Sequence, residues 1–101
     1  MIAALDPIIH APTRLQIAAI LAVVDDAEFA TVRDAVGASD SVLSKHVAQL
    51  AEAGYVKMRK AALGGRQRTW LSLTREGRQA FVSHMQALEA LVAAAQTVTA
   101  A

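Results

Sequence analysis

The spacing of apolar positions changes several times along this chain, and each change predicts an element. In PTRLQIAAILAVV, residues 12–24, apolar side chains cover most of a helical circumference behind a proline suited to the first turn. Such a helix is buried on two sides, by its own core and by a second subunit, with Leu15 among the positions offered to that partner. Asp25 and Asp26 end it, and Phe29 begins a short connection. Thr31 is the expected N-cap of a brief helix, TVRDAV, and Gly37 fits the left-handed position that closes it. Ser39 caps the next helix, which runs to about Ala53 and stops at Gly54. Residues 31–53 thus form two helices joined through a glycine-containing turn, a helix-turn-helix candidate.

After Gly54 the period falls to two. Tyr55–Leu63 and Arg66–Leu73 flank Gly64-Gly65, which predicts a tight hairpin over residues 55–73. Pairing outward from that turn sets Met58 opposite Leu71 and Val56 opposite Leu73, and these four are expected to form the core face. On the other face Arg59 meets Trp70, Ala61 meets Arg68 and Lys57 meets Ser72, an arrangement that offers a cation–π contact and a row of positive charge. Thr74 caps a last helix over residues 75–95, and Glu76 in its first turn suits the helix dipole. Phe81, Met85, Leu88, Val92 and Ala95 recur at alternating intervals of four and three, the narrow stripe of helix-on-helix packing, read here as part of a dimer seam. The tail after Gln96 is expected to fray. With no internal repeat or linker, residues 1–101 read as one α+β domain, mostly α.

Composition sharpens this picture in three ways. At 54% hydrophobic residues in a chain of 101, there is more apolar material than a lone small domain hides, which argues for a homodimer. The absence of cysteine excludes disulfides, thiolate metal sites and a cysteine nucleophile. MIAALDP lacks the basic start and long apolar run of a signal peptide, and the longest apolar run, Ile17–Val24, falls short of the roughly 20 residues a membrane span needs, so a cytoplasmic, nucleoid-associated location is expected. Charge is unevenly spread. Residues 1–41 hold Arg14 and Arg33 against six carboxylates, a net of −4, whereas residues 42–82 hold eight Lys and Arg against Glu52 and Glu76, a net of +6. Asymmetry of that kind points to a polyanionic partner.

The helix SDSVLSKHVAQLAEAG shows where the polyanion would lie. At about 100° per residue, Leu43, Val47 and Leu50 share the core side, with His46 at its edge in a packing role. Opposite fall Ser41, Ser44, Lys45 and Ala48, with Gln49 and Val42 on the flank. This face is slim, as a major groove about 12 Å wide requires, and its hydroxyls and ammonium suit base edges or phosphates. Gln49 is its only amide, and the whole chain has no asparagine, so bidentate reading of adenine has one candidate. Asp40 either contributes to capping or accepts from a cytosine amino group. In the hairpin, Arg66 stands at the tip, where an arginine can enter a narrow minor groove; Arg59 and Arg68 lie on the outer strand face, and Lys57 and Lys60 can reach phosphates.

The pieces APTRLQIAAIL, SVLSKHVAQLAEAGYV, GGRQRTWLSL and LTREGRQAF, in this order and spacing, cover most of the chain and resemble the winged helix-turn-helix of MarR- and ArsR-type transcriptional regulators, most of all their short single-domain members. The resemblance implies a three-helix core, a β-hairpin wing and a long C-terminal dimerisation helix. It also implies a dimer on a pseudo-palindromic double-stranded DNA operator, with one helix per subunit in the major groove and the wing along the adjacent backbone or minor groove. A repressor is the expected form, with a small-molecule effector in a cleft left open. Metal sensing is not expected, since His84 has neither a carboxylate nor a histidine three or four residues away. Nor is catalysis: there is no GxSxG, phosphate loop or acidic dyad, and no cofactor is implied. The rival from another class is a protein-interaction module, which would place large aromatic anchors on the exposed helix face, where this sequence has none.

Overall fold

The structure, a computed structural model, describes residues 4–100 and the side chains of residues 4–99. Its elements are α1 (Pro7–His10), α2 (Pro12–Ala22), β1 (Ala27–Glu28), α3 (Phe29–Val36), α4 (Asp40–Glu52), β2 (Val56–Leu63), β3 (Arg66–Leu73) and α5 (Arg75–Ala100). The three strands form one antiparallel sheet in the order β1-β3-β2. Helix α2 is the axis of the core: its Ile17, Ala18 and Leu21 are fully buried with Val32 of α3, Leu43, Val47 and Leu50 of α4, and Val56, Leu71 and Leu73 at the base of the hairpin.

The expected α4 and hairpin are found as read. Ser39 Oγ accepts from the Val42 N–H (3.2 Å), Gly37 closes α3 at φ 71°, and Gly54 closes α4 at φ 83°. Gly64 and Gly65 both take positive φ, as a two-residue turn matched to strand twist demands, and the register sets Val56 opposite Leu73 and Arg59 opposite Trp70.

Five expectations need correction. A helix, α1, precedes the first expected one, and Asp6-Pro7 carries its signal: Asp6 Oδ1 accepts from the N–H groups of Ile8 (2.8 Å) and Ile9 (3.2 Å), and Pro7 opens the turn. Helix α2 stops at Ala22, not Val24, leaving Val23 exposed. Thr31 caps nothing; α3 begins at Phe29 because the two preceding residues are drawn into the sheet as β1, and Glu28, at the cap position, gives its carboxylate to Arg68 instead. Met58 is no core residue, being 52% exposed: it lies on β2, an edge strand of the sheet, whereas Leu71 opposite it is buried on the central strand β3. Helix α5 continues past residue 95 and through the tail to Ala100, and its residues 89–99 are exposed throughout.

The base of α5 is held by a close junction. Thr74 Oγ1 accepts from the Gly77 N–H (2.9 Å) and donates to the Gly54 carbonyl (2.6 Å), while the Thr74 N–H donates to the Tyr55 carbonyl (3.0 Å). Gly77 is buried against that same carbonyl, and a Cβ there would stand 2.0 Å from the Tyr55 oxygen. The opposite side of Tyr55 ties down α1. Its hydroxyl donates to Asp6 Oδ2 (2.7 Å), the Asp6 N–H donates to Nδ1 of the buried His84 (3.0 Å), and His84 Nε2 lies 3.2 Å from His10 Nδ1. Because Nδ1 of His84 accepts, the ring of neutral His84 carries its proton on Nε2 and gives it to His10. Burial lowers the pKa of His84 and nearby His10 adds to this, against an opposing pull from Asp6. Burial pushes the Asp6 carboxyl up, but the Tyr55 hydroxyl and the Ile9 and Ile8 N–H groups outweigh it, and its pKa ends below the ordinary value.

Two predictions follow from this junction. Gly77→Ala gains up to about 1 kcal/mol of helix propensity but forces the backbones apart at a cost of about 3 kcal/mol, for a net loss of about 2 kcal/mol in urea denaturation; an unchanged midpoint would show that the close approach is relaxed at no cost. The second concerns acid. His84 takes its proton less readily folded than unfolded, so its stabilising contribution is complete above histidine's ordinary 6.5 and is lost as pH falls through the folded value. Asp6 acts in the same direction lower down, below the ordinary carboxylate value of 3.8. Stability measured at pH 5.5 should therefore be lower than at pH 7.5, and His84→Asn, which keeps an acceptor for the Asp6 N–H, should reduce that difference.

Candidate nucleic-acid interface

Helix α4 meets the core along Leu43, Val47 and Leu50, so its remaining circumference is set by geometry. Ser41, Val42, Ser44, Lys45 and Ala48 are all exposed, and together they form a surface of hydroxyls, methyls and one ammonium. Gln49 is not free among them: half-buried, it accepts from Arg14 of α2 through Oε1 at 2.6 Å. His46 is also half-buried and lies beside the same arginine, its Nδ1 3.2 Å from an Arg14 nitrogen, in the packing role expected of it. Asp40 does not cap. Its Oδ1 accepts from Arg33 at 2.8 Å, and Arg33 also holds Asp34 at 3.0 Å, so Asp40, then Asp34, keep the guanidinium firmly protonated.

The wing presents its cations unequally. Arg59 donates to Asp26 (2.9 Å) and Arg68 to Glu28 (3.0 Å), both carboxylates lying on the segment that enters and forms β1. The expected cation–π contact between Arg59 and Trp70 is replaced by this ion pair, the two residues being opposed in register only. Lys57, Lys60 and Arg66 are exposed and have no ion-pair partner among the described residues. The sequence hid this division because nothing in its spacing foretold that Asp26, just before β1, and Glu28, within it, would be brought against the hairpin.

Helix and wing face each other across a groove of about 620 Å³. Its walls are Ser44, Asp40 and Val47 on α4 and Met58, Lys60 and Thr69 on the hairpin, with Phe29 at the floor. Ser44 and Lys60, far apart in sequence, therefore border one opening. A second groove of about 380 Å³, bounded by Phe29, Ala30 and residues 66–69, continues toward the wing tip at Arg66.

The residues expected in a dimer seam divide. Leu15 and Phe81 are half-buried against the protomer's own core, and Leu88 is half-buried further along α5. Met85 and Val92 are exposed, as are Val82, Leu91 and Val98, which the stripe alone did not single out. Among the described residues no group of three or more potential ligands could hold a metal ion, and no helix is long and apolar enough to cross a membrane.

Comparison with known proteins agrees with this geometry. A family model described as a winged helix DNA-binding domain matches residues 13–92. An uncharacterised protein of Methanocaldococcus jannaschii is 30% identical over 78 residues, which are 77% of this chain and 85% of that protein. The transcriptional regulator homologue from Pyrococcus horikoshii OT3 superposes with a TM-score of 0.81 at 25% identity, over 86% of each chain. A MarR family transcriptional regulator from Silicibacter pomeroyi shares the fold at a TM-score of 0.67 and 20% identity, over 84% of this chain and 56% of that one. The chain belongs to the winged-helix DNA-binding domain family, and its structural neighbours include a transcriptional regulator homologue and a MarR family transcriptional regulator.

Proposed function

We propose that the protein is a homodimeric, sequence-specific DNA-binding repressor of transcription that acts in the cytoplasm at the nucleoid. Helix α4 enters the major groove of a pseudo-palindromic operator, and the wing lies on the adjacent backbone or minor groove. The observation that carries the reading is the shared border of Ser44 and Lys60 across one groove, with Lys45 elsewhere on α4 and Lys57 and Arg66 elsewhere on the wing exposed and without an ion-pair partner among the described residues. Small hydroxylated side chains let a helix approach base edges closely, and free cations on both sides supply phosphate contacts. Ser41, Ser44 and Lys45 are the contacts of the helix; Lys57, Lys60 and Arg66 are those of the wing. Arg59 and Arg68 contribute less, because Asp26 and Glu28 already neutralise them.

Dimerisation is supported by α5. Its exposed outer half carries Leu91, Val92 and Val98, with Met85 and Val82 nearer the core, and a second copy is the partner that would cover them. Twofold symmetry then presents two α4 helices to half-sites about one helical turn, roughly 34 Å, apart.

Fluorescence anisotropy with the DNA upstream of the protein's own gene, at two salt concentrations, tests the reading; binding that does not weaken with salt would remove its electrostatic basis. Arg66→Ala should weaken binding to all sequences alike and lower the salt slope by about 1 if it meets a phosphate, and should also reduce preference for A·T-rich flanks if it enters the minor groove. Arg68→Ala, which removes a charge already paired, should leave the slope nearly unchanged. In sedimentation, Met85→Lys should yield monomers, and an intact dimer would take this part of α5 out of the seam.

A further inference from the structure

Arg14 is half-buried in the first turn of α2, and its guanidinium is held by neutral acceptors from two other elements. Nε donates to the carbonyl of Ile8, and one terminal nitrogen to that of Pro7 (3.4 Å), both in α1. The other terminal nitrogen donates to Gln49 Oε1 (2.6 Å) and stands 3.2 Å from His46 Nδ1, both on α4. No carboxylate pairs with this cation among the described residues. Ile8, Arg14, Gln49, Glu52 and Ala53 border a cleft of about 400 Å³, so the guanidinium spans a gap between α1 and α4. A planar fork with five donors can do this, whereas an ammonium offers one point charge on a flexible stem.

The contact also fixes a proton. A guanidinium only donates, so Nδ1 of His46 must accept, which leaves neutral His46 with its proton on Nε2. That nitrogen has no partner among the described residues and is not a buried unpaired atom, so it reaches solvent from the half-buried His46. Gln49 is affected oppositely: its carbonyl oxygen is committed to Arg14, which withdraws the one amide of this helix that could pair with adenine through both its groups.

We propose that Arg14 is a positioning residue for DNA binding. It fixes the seat of α4 on α1 and α2 through Gln49 and His46, and presents the His46 Nε2–H toward a phosphate, without touching DNA itself. The inference rests on the DNA-binding reading above. A direct phosphate contact by Arg14 would lower the salt slope on its removal by about 1, whereas a positioning role leaves the slope unchanged while affinity falls.

The test combines anisotropy over a salt series with amide hydrogen exchange of the DNA-free protein, for wild type, Arg14→Ala, Arg14→Lys, Gln49→Ala and the double Ala variant. Arg14→Ala should weaken binding at least tenfold with an unchanged slope, and Arg14→Lys should lose nearly as much despite keeping its charge. Gln49→Ala should weaken binding several-fold, and the double variant should be no weaker than Arg14→Ala, since the two act through one bond. Exchange over α4 should quicken in both Arg14 variants while that of α5 does not. A slope reduced by about 1, full activity of Arg14→Lys, additive losses, or unaltered α4 exchange would each overturn the proposal. Absence of wild-type DNA binding would instead overturn the reading it rests on, with the exchange still reporting whether Arg14 holds α4. Should Arg14→Ala fail to fold, Gln49→Ala, at a half-buried flank position, carries the same comparison.

Discussion

The peptide of Tyr55 is the point on which the molecule turns. Its N–H returns to the Leu50 carbonyl (2.9 Å) and ends α4, while its carbonyl accepts from Thr74 (3.0 Å) at the start of α5. Gly77 packs so closely on that carbonyl that only a residue without a side chain fits. Its hydroxyl reaches Asp6 and so holds α1. Three helices, α1, α4 and α5, thus meet at one residue, and β2 leaves from it. The orientation of the wing relative to α4 rests on this junction together with the packing of Val56, Leu71 and Leu73 at the base of the hairpin and the pairing of β1 with β3.

What the sequence revealed and what it concealed follow a physical line. Local rules sufficed wherever a short-range signal was strong: Ser39 as a cap, Gly37 and Gly54 as helix ends, Gly64-Gly65 as a turn, and from that turn the whole register of β2 against β3. Long-range pairing overrode local propensity elsewhere. Thr31 is a good capping residue, yet Ala27 and Glu28 pair with Leu71 and Trp70 and pull the start of α3 back to Phe29. Met58 obeys the alternation of its strand, but alternation says which face a side chain occupies and not whether anything covers that face.

The same distinction governs charge. Along the chain the acidic first part and basic second part look segregated, but folding brings some of them together. Asp26 and Glu28 meet Arg59 and Arg68, and Asp40 meets Arg33 within the helix-turn-helix itself. Each is a solvent-accessible pair that adds little to stability. Their larger effect is on the field: they cancel charge on the β1 side of the hairpin and leave Lys45 on α4 and Lys57, Lys60 and Arg66 on the wing as cations without an ion-pair partner among the described residues, with Arg75 and Arg78 apart from them at the start of α5. A linear count of charge found the correct sign and too wide an area.

This distribution bears on how DNA sequence would be discriminated. With Gln49 bonded to Arg14 and Asp40 to Arg33, the polar groups that this face of α4 offers are the hydroxyls of Ser44 and of Ser41, the latter shared with Ser39, the Lys45 ammonium and the edge of His46, joined by the methyl groups of Val42 and Ala48. Serine and lysine tolerate several acceptors, and methyl groups favour thymine only through contact. On the proposed reading, a single α4 would therefore read a short and permissive pattern. Two devices would raise its selectivity: repetition of the pattern in a second half-site at fixed spacing, and the preference of an arginine at the wing tip for a narrow minor groove. Both act on shape and distance, so the rigidity of the Tyr55 junction and of the α5 seam would matter to specificity as much as any base contact.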